Sequence, residues 1–370
     1  MHILIRLDLN VSIDNGVVKD NSRILACKQT IDHYKKQAKL CILSHLGRPD
    51  GITEQLSLKN LIPELEKAWD CQVVFSDNYD SDSIRSKLQG LQANQILLLE
   101  NTRFYDWEKS CNQTVAAQIA SSFDRFVFDA FACSHRKHLS TYALANHLPS
   151  QLGPLTKKEI LNLQLSLAYP NPVLVMGGAK AKTKIKLIQH FIDQASQILL
   201  GGVMANTFLK AKGIAIGSSV CDDDLIPACQ ELLNKAADKI VLPSDFCCAN
   251  SLTDQQTHNT AQVLDNQTIG DIGSQTIKNY TEILANSQAI IFNGPMGYTD
   301  NPNFCAGSES ILKAIAKSPK ATLGGGDTIK LLNQFEIDPN SFSFVSTGGG
   351  AMLEFLAKDG RLEVLDFVQR

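Results

Sequence analysis

The stretch VLVMGGAKAKTKIKLIQHFIDQ, Val173–Gln194, decides the fold class. Val173–Met176 is a continuous apolar run, the pattern of a strand covered on both faces rather than a half-exposed one. Two glycines break the run, and Lys184–Gln194 then repeats with helical period. Outward from here the same unit returns along the chain. In the first half, apolar runs stand at Ile3–Leu7, Leu40–Leu43, Val73–Phe75, Ile96–Leu99 and Phe126–Phe128. In the second half they stand at Val173–Met176, Ile198–Leu200, Ile240–Leu242, Ala289–Phe292 and Phe342–Val345. Helix-like intervals such as Ser57–Trp69 separate them. This alternation predicts an α/β fold with parallel sheets. The strands are too many for one comfortable sheet, so the 370 residues predict two domains. Lys157–Ala168 has helical period and stops at Tyr169, before Pro170-Asn171-Pro172, which cannot continue a helix. The expected division is a first domain over 1–154, a connecting helix within 155–171 and a second domain from 172. No solenoid-length repeat or low-complexity segment interrupts the pattern.

Hydrophobic residues make up 44% of the chain and charged residues 20%, as in a globular protein with a full core. A net charge of −3 argues against a general nucleic-acid or membrane-surface binder, so any anion site must be a local basic cluster. The ten cysteines include no CxxC pair, and no histidines join them at zinc-ligand spacing. They read as buried thiols of a reducing cytoplasm. The N-terminus, Met1–Asp8, is charged too early for a signal peptide, and no apolar run approaches the ~20 residues of a membrane span. The expected location is therefore the cytoplasm.

The chemistry follows the strands. After Leu40–Leu43 comes Ser44-His45-Leu46-Gly47-Arg48, and after Ile96–Leu99 comes Glu100-Asn101-Thr102-Arg103. After Phe126–Phe128 comes Asp129-Ala130-Phe131, then His135-Arg136-Lys137-His138; after the first strand comes Asp8-Leu9-Asn10, with Arg23 beyond. In an open parallel sheet the carboxyl ends of the strands share one rim, where ligands bind. Four arginines from distant positions thus converge on one edge. Their planar forks of donors suit a small, multiply charged anion. A single arginine would read as an ordinary surface residue. His138 fits either substrate contact or support of a neighbour.

The second half carries glycines instead. Gly177-Gly178-Ala179-Lys180 and Lys184 follow one strand, Gly201-Gly202 another, and Asn293-Gly294-Pro295-Met296-Gly297 a third. Gly324-Gly325-Gly326-Asp327-Thr328 comes next, and Ser346-Thr347-Gly348-Gly349-Gly350 opens the helix-like Ala351–Lys358. Glycines let backbone N–H groups approach phosphates, and helix N-termini favour anions. Five such turns in one domain point to a nucleotide. Lys180 and Lys184 can neutralise transferred charge, and Asp327 is placed to hold a magnesium ion on the nucleotide phosphates. GxxxxGK[ST] and a GxGxxG opening the first helix are both absent, which excludes P-loop NTPases and ordinary dinucleotide-binding dehydrogenases.

RLDLNV (Arg6–Val11), SHLGRPDG (Ser44–Gly51), LLENTRF (Leu98–Phe104) and DAFACSHRKH (Asp129–His138) resemble motifs of the phosphoglycerate kinases. So do GGAKAKTKI (Gly177–Ile185), GGVMANTF (Gly201–Phe208), NGPMG (Asn293–Gly297), GGGDT (Gly324–Thr328) and STGGGA (Ser346–Ala351), in family order over nearly the whole chain. The resemblance implies two Rossmann-like three-layer domains joined by a helix with a cleft between them: a phosphoglycerate-binding domain, then a nucleotide-binding domain over 172–350. It also implies that the segment 351–370 packs back on the first domain. The implied reaction is reversible transfer of the acyl phosphate of 1,3-bisphosphoglycerate to Mg-ADP, giving 3-phosphoglycerate and ATP, a step of glycolysis and gluconeogenesis. On the resemblance the two substrates would sit on different domains, which would have to close for reaction and in closing exclude water.

Carried over residue by residue, Asp8, Leu9, Asn10, Arg23, His45, Leu46, Gly47, Arg48, Arg103 and Arg136 would hold the phosphoglycerate. Gly178, Lys184, Gly202, Asn293, Pro295, Gly297, Asp300, Gly325, Gly326, Asp327 and Thr328 would hold the nucleotide, with Asp327 holding Mg2+ through it. Arg23, Lys180 and the amides of Gly348, Gly349 and Gly350 would stabilise the transferring group. The family also implies a monomer.

Departures from the family pattern fall beside the charge-bearing residues. The chain begins almost directly on the first strand. Val203 stands where a third glycine is usual, near the expected adenine pocket, and Asp300 where the family has a glutamate contacting the ribose. Ser134 replaces an alanine and Leu139 a small residue. Two alternatives are a non-catalytic homologue that binds nucleotide or regulates, and a kinase for another small carboxylate.

Overall fold

The computed structural model describes residues 1–14, 17–179 and 181–369. The continuous apolar runs form two parallel sheets. The first is ordered Gln72–Ser76, Gln95–Leu99, Lys39–Leu43, His2–Leu7, Arg125–Asp129, Ser150–Leu152, all parallel. Its strand His2–Leu7 is buried from Ile3 onward. Ile3, Ile5 and Leu7 share a core with Ile24, Ile31, Leu65 and Trp69 from the helices Ser22–Tyr34 and Ile62–Trp69. The intervening Leu4 and Arg6 point to the opposite face, as the period of two requires. The Trp69 indole donates to Ile24 O at 2.8 Å, which locks the two helices together.

The second sheet is ordered Ile240–Val241, Gln197–Leu200, Val173–Met176, Ile290–Asn293, Ala321–Gly324, Phe344–Ser346, again all parallel. In each sheet the chain starts near the centre, builds one side and returns to build the other. The strand order therefore reverses beside His2–Leu7 and between Val173–Met176 and Ile290–Asn293. Loops diverge at such points and leave a crevice at the strands' carboxyl ends.

The sequence did not announce several elements. Phe246–Ala249 lies between His258–Thr260 and Thr268–Ile272 in a small antiparallel sheet, and Ile13–Asp14 pairs with Val17–Val18. Ala321–Gly324 is a fully buried strand although it contains Thr322. That hydroxyl is within hydrogen-bond distance of Ser166 Oγ (2.6 Å) and the Tyr169 hydroxyl (3.1 Å), so a polar residue sits in the sheet without penalty. Ser57–Trp69 is not one helix: Leu58–Leu61 is a 3-10 turn and the α-helix begins at Ile62, with Pro63 in its first turn where no backbone donor is needed.

The chain divides into two compact units, residues 1–161 with 361–370, and residues 162–360. The helix Pro154–Leu167 carries the chain from one to the other. The return to the first unit begins at Arg361, not at 351. Gly349–Ala357 buries Ala351, Met352, Leu353, Phe355 and Leu356 and packs on Ala181–Phe191 within the second unit. Beyond it, the helix Glu363–Val368 packs on Ser150–Leu152, stacks Phe367 on Tyr142 (4.6 Å) and pairs Glu363 with Lys137. Among the described residues no helix is long and apolar enough to cross a membrane.

Candidate functional site

In the first unit three of the predicted arginines, Arg23, Arg103 and Arg136, act together on one imidazole. His45 follows the strand Lys39–Leu43 and is 3% exposed. Burial, then the charges of Arg6, Arg103, Arg136 and Arg23, hold its pKa well below the ordinary histidine range. Arg6 NH2 lies 2.9 Å from His45 Nδ1. A guanidinium can only donate, so Nδ1 accepts and the neutral ring carries its hydrogen on Nε2. Arg6 also donates to Ser140 Oγ (2.9 Å), Ser44 Oγ (3.2 Å) and Leu7 O. Sequence reasoning missed Arg6 as a site residue. Its signal was a charge inside an apolar strand, a position that demands buried partners.

Asp8, Arg23, Asn10, Gly47 and Arg103 form a connected rim. Asp8 Oδ2 accepts from Arg23 NH1 at 2.7 Å, and Arg23 NH1 also reaches Asn10 O at 3.1 Å. Asn10 Oδ1 accepts from Gly47 N at 2.8 Å, while Gly47 O accepts from Arg103 NH1 at 2.6 Å. Gly47 turns at φ +65°, a conformation natural to glycine. Leu9 and Leu46 are buried beneath the rim; Leu9 N donates to Ser44 Oγ (2.9 Å) and Leu46 N to Asn101 Oδ1 (3.2 Å). Arg48 is exposed. Arg136 Nε lies 3.1 Å from His135 Nε2, and its charge acts on both His45 and Arg103.

His138 turns to support. Its Nδ1 is 3.7 Å from Glu108 Oε1, and burial pushes its pKa down, so the ring is neutral near pH 7. Glu108 in turn accepts from Ser140 N (2.9 Å) and Ser140 Oγ (2.7 Å), the hydroxyl that also receives Arg6. Ser134 satisfies its hydroxyl locally on Phe131 O (2.7 Å), and Leu139 is fully buried. Asp8, His45 and Cys133 offer ligand atoms within 4.8 Å of one another. The arginines around them and the Arg6 bond to Nδ1 suit that place to an anion rather than a cation.

In the second unit the glycine turns meet at the point where the strand order reverses. Gly178 N donates to Pro295 O and Gly202 N to Met296 O, both at 2.7 Å. A Cβ on Gly177 would stand 2.0 Å from Pro295 O, so side chains are excluded there. Gly178, Gly202, Pro295, Gly297, Asp300 and Asp327 line one cleft of about 400 Å³, as does Val203. Val220, Leu252 and Ile269 give it an apolar wall and Lys330 a cation. Asp271 also lines it; burial pushes its carboxyl up to about 7, although Gly307 N (2.7 Å) and Ile272 N (2.8 Å) donate to it.

Other predicted residues are not part of that lining. Lys184 is 4% exposed and donates to Gly177 O. Asn293 Nδ2 donates to Gly324 O at 2.6 Å, and the Thr328 hydroxyl donates to the same oxygen at 2.9 Å. Gly325, at φ +110°, precedes the helix Gly326–Gln334, and a Cβ on Gly349 would lie 3.4 Å from Gly325 Cα. The N-termini of Gly326–Gln334 and Gly349–Ala357 are therefore neighbours, with Gly348 and Gly350 beside that junction. Together they make a favourable place for an anion. Lys180 lies outside the described residues. Asp327, exposed in the first turn of its helix, offers one hard oxygen donor group. That fits Mg2+, which keeps several waters and binds through one or two carboxylates plus phosphates.

Known proteins resemble this chain over most of its length. The family model described as "Phosphoglycerate kinase" matches residues 1–359. The chain is 35% identical to the phosphoglycerate kinase of Wolbachia sp. subsp. Drosophila simulans, over 96% of this chain and 93% of that one. It is 37% identical to that of Pseudothermotoga lettingae, over 96% and 92%. The solved phosphoglycerate kinase of Coxiella burnetii superposes with a TM-score of 0.80 at 34% identity, covering 99% of this chain and 95% of that one. That of Pyrococcus horikoshii OT3 gives 0.88 at 28% identity, with the same coverage. The chain belongs to the phosphoglycerate kinase family.

Proposed function

We propose that this chain transfers the acyl phosphate of 1,3-bisphosphoglycerate to ADP, reversibly, giving 3-phosphoglycerate and ATP. The observation that carries the reading is the convergence of Arg6, Arg23, Arg103 and Arg136 on the buried, neutral His45. Such a cluster suits a substrate that carries both carboxylate and phosphate groups. In the forward direction a β-phosphate oxygen of ADP attacks the acyl phosphorus. The P–O bond to the carboxyl group breaks, and 3-phosphoglycerate leaves as a carboxylate with the bonding pair. No proton needs to move, so the protein's work is positioning and charge stabilisation.

Each unit holds one substrate in this reading. Asp8 keeps Arg23 at the rim, Arg6 fixes His45 with Nε2–H as donor, and Arg103 and Arg136 supply further guanidinium donors. Arg48 joins them from its exposed position. In the second unit the apolar wall takes the adenine, and the glycine turns with Lys184 beneath take the phosphates. Asp327 would hold Mg2+, which when bound neutralises phosphate charge. Lys180 and the helix-opening amides of Gly348–Gly350 stabilise the phosphoryl group in transfer. The protein acts as a monomer in the cytoplasm.

The test is an assay with 3-phosphoglycerate and Mg-ATP, the product being trapped by coupled reduction. We expect turnover, and we expect Arg23→Ala and Lys180→Ala each to lower kcat by roughly 10²-fold or more while the fold remains intact. Nucleotide binding without turnover would point instead to a non-catalytic homologue.

A further inference from the structure

The reading of the second-unit cleft as a nucleotide site gives no role to Lys330, which lines it. Among the described lining residues of the cleft, the carboxylates of Asp300 and Asp327 stand against a single ammonium, that of Lys330, while the buried Asp271 carboxyl, pushed up to about 7, is only partly ionised at neutral pH. A ligand carrying a polyphosphate must enter against those carboxylates. Lys330 lies on the helix Gly326–Gln334, three residues after Asp327 and so on the same face. Its Nζ is 2.8 Å from Asp300 Oδ1, and Asp327 also acts on its charge.

The pair is open to water, with Lys330 64% and Asp300 61% exposed. Exposed pairs of this kind do little for folding, so this one can exchange partners at small cost. A polyphosphate bears more charge than one carboxylate and accepts several charge-assisted hydrogen bonds. We propose that Lys330 is a nucleotide-binding residue: as ADP or ATP enters, its ammonium leaves Asp300 for the phosphate oxygens, and the released Asp300 carboxylate accepts hydrogen bonds from the nucleoside. The swap makes Asp300 available mainly when phosphates are present, so the cleft favours charged nucleotides over the bare nucleoside.

This inference rests on the nucleotide reading, and binding experiments separate the two. Calorimetric titrations of ADP, ATP and adenosine into the full chain, with EDTA present, would compare the parent protein with Lys330→Met and Lys330→Arg. Lys330→Met should weaken ADP and ATP by about five- to tenfold and tighten adenosine slightly, because Asp300 is then already free. Lys330→Arg, which keeps the charge, should restore most of that loss. Melting temperatures without ligand should match across the three proteins. Unchanged ADP binding in Lys330→Met, or equal loss of ADP and adenosine, overturns the proposal while leaving the nucleotide site standing. Failure of the parent protein to bind ADP overturns the nucleotide reading and the proposal with it.

Discussion

A charge buried inside an apolar strand is the most consequential residue-level feature. Arg6 fixes which nitrogen of His45 carries the hydrogen, and burial keeps that ring neutral. Histidine nitrogen NMR should therefore find His45 in the Nε2–H form and neutral at pH 6.5; a protonated His45 at that pH would contradict the assignment. Asp271 offers a second residue-level test. Its carboxyl titrates at about 7 in the fold and near 3.8 when unfolded. The folded state thus binds the proton more tightly, and stability from this group is full below pH 3.8 and declines as pH rises through 7. The fall should be on the order of 4 kcal/mol. Asp271→Asn should flatten the dependence of second-unit stability between pH 4.5 and 7.5, measured by urea unfolding. The strand-end arginines could be read from sequence because residue type and position already specify their chemistry. Arg6 was hidden inside the run that identified its strand. Lys330 was hidden because its partner Asp300 lies 30 positions away and meets it only in the fold.

At the scale of elements, the glycine turns act as close-packed joints. A methyl group on Gly177 would lie 2.0 Å from the Pro295 carbonyl oxygen, a backbone atom that cannot rotate aside. Gly177→Ala should therefore separate the ends of Val173–Met176 and Ile290–Asn293, lower the melting temperature and weaken ADP binding at least tenfold (about 1.4 kcal/mol). Gly90 closes the helix Ser81–Gly90 with open space around it. Gly90→Ala should be neutral or raise stability by up to about 1 kcal/mol. Elements with unbroken apolar runs were readable because strands buried on both faces need no alternation. Ala321–Gly324 was not, because its Thr322 is reconciled with the core only by Ser166 and Tyr169, contacts no local pattern encodes.

At the scale of the whole molecule, the first unit is assembled from two separated stretches of chain. Val364, Leu365 and Val368 of the second stretch are buried. At about 1.5–3 kcal/mol for each such side chain, the helix Glu363–Val368 contributes several kcal/mol. Deleting residues 361–370 should lower the melting of the first unit by calorimetry, while the stabilisation that ADP gives the second unit persists. Loss of both together would show that the tail supports more than its own unit. Two units could be anticipated from the strand count. Where the tail changes allegiance could not, since the apolar pattern of Gly349–Ala357 does not say which core receives it.

That divided first unit has a consequence for synthesis. The 161 residues that begin it leave the ribosome first, yet their closing helix follows only after the 199 residues of 162–360. At 5–20 residues per second the delay is about 10–40 s. For that interval the nascent first unit presents an uncovered apolar seat beside Ser150–Leu152, while the second unit, continuous in sequence, can already be complete. The first half to be made is the last to be finished, and its exposed seat is where a chaperone would be expected to bind.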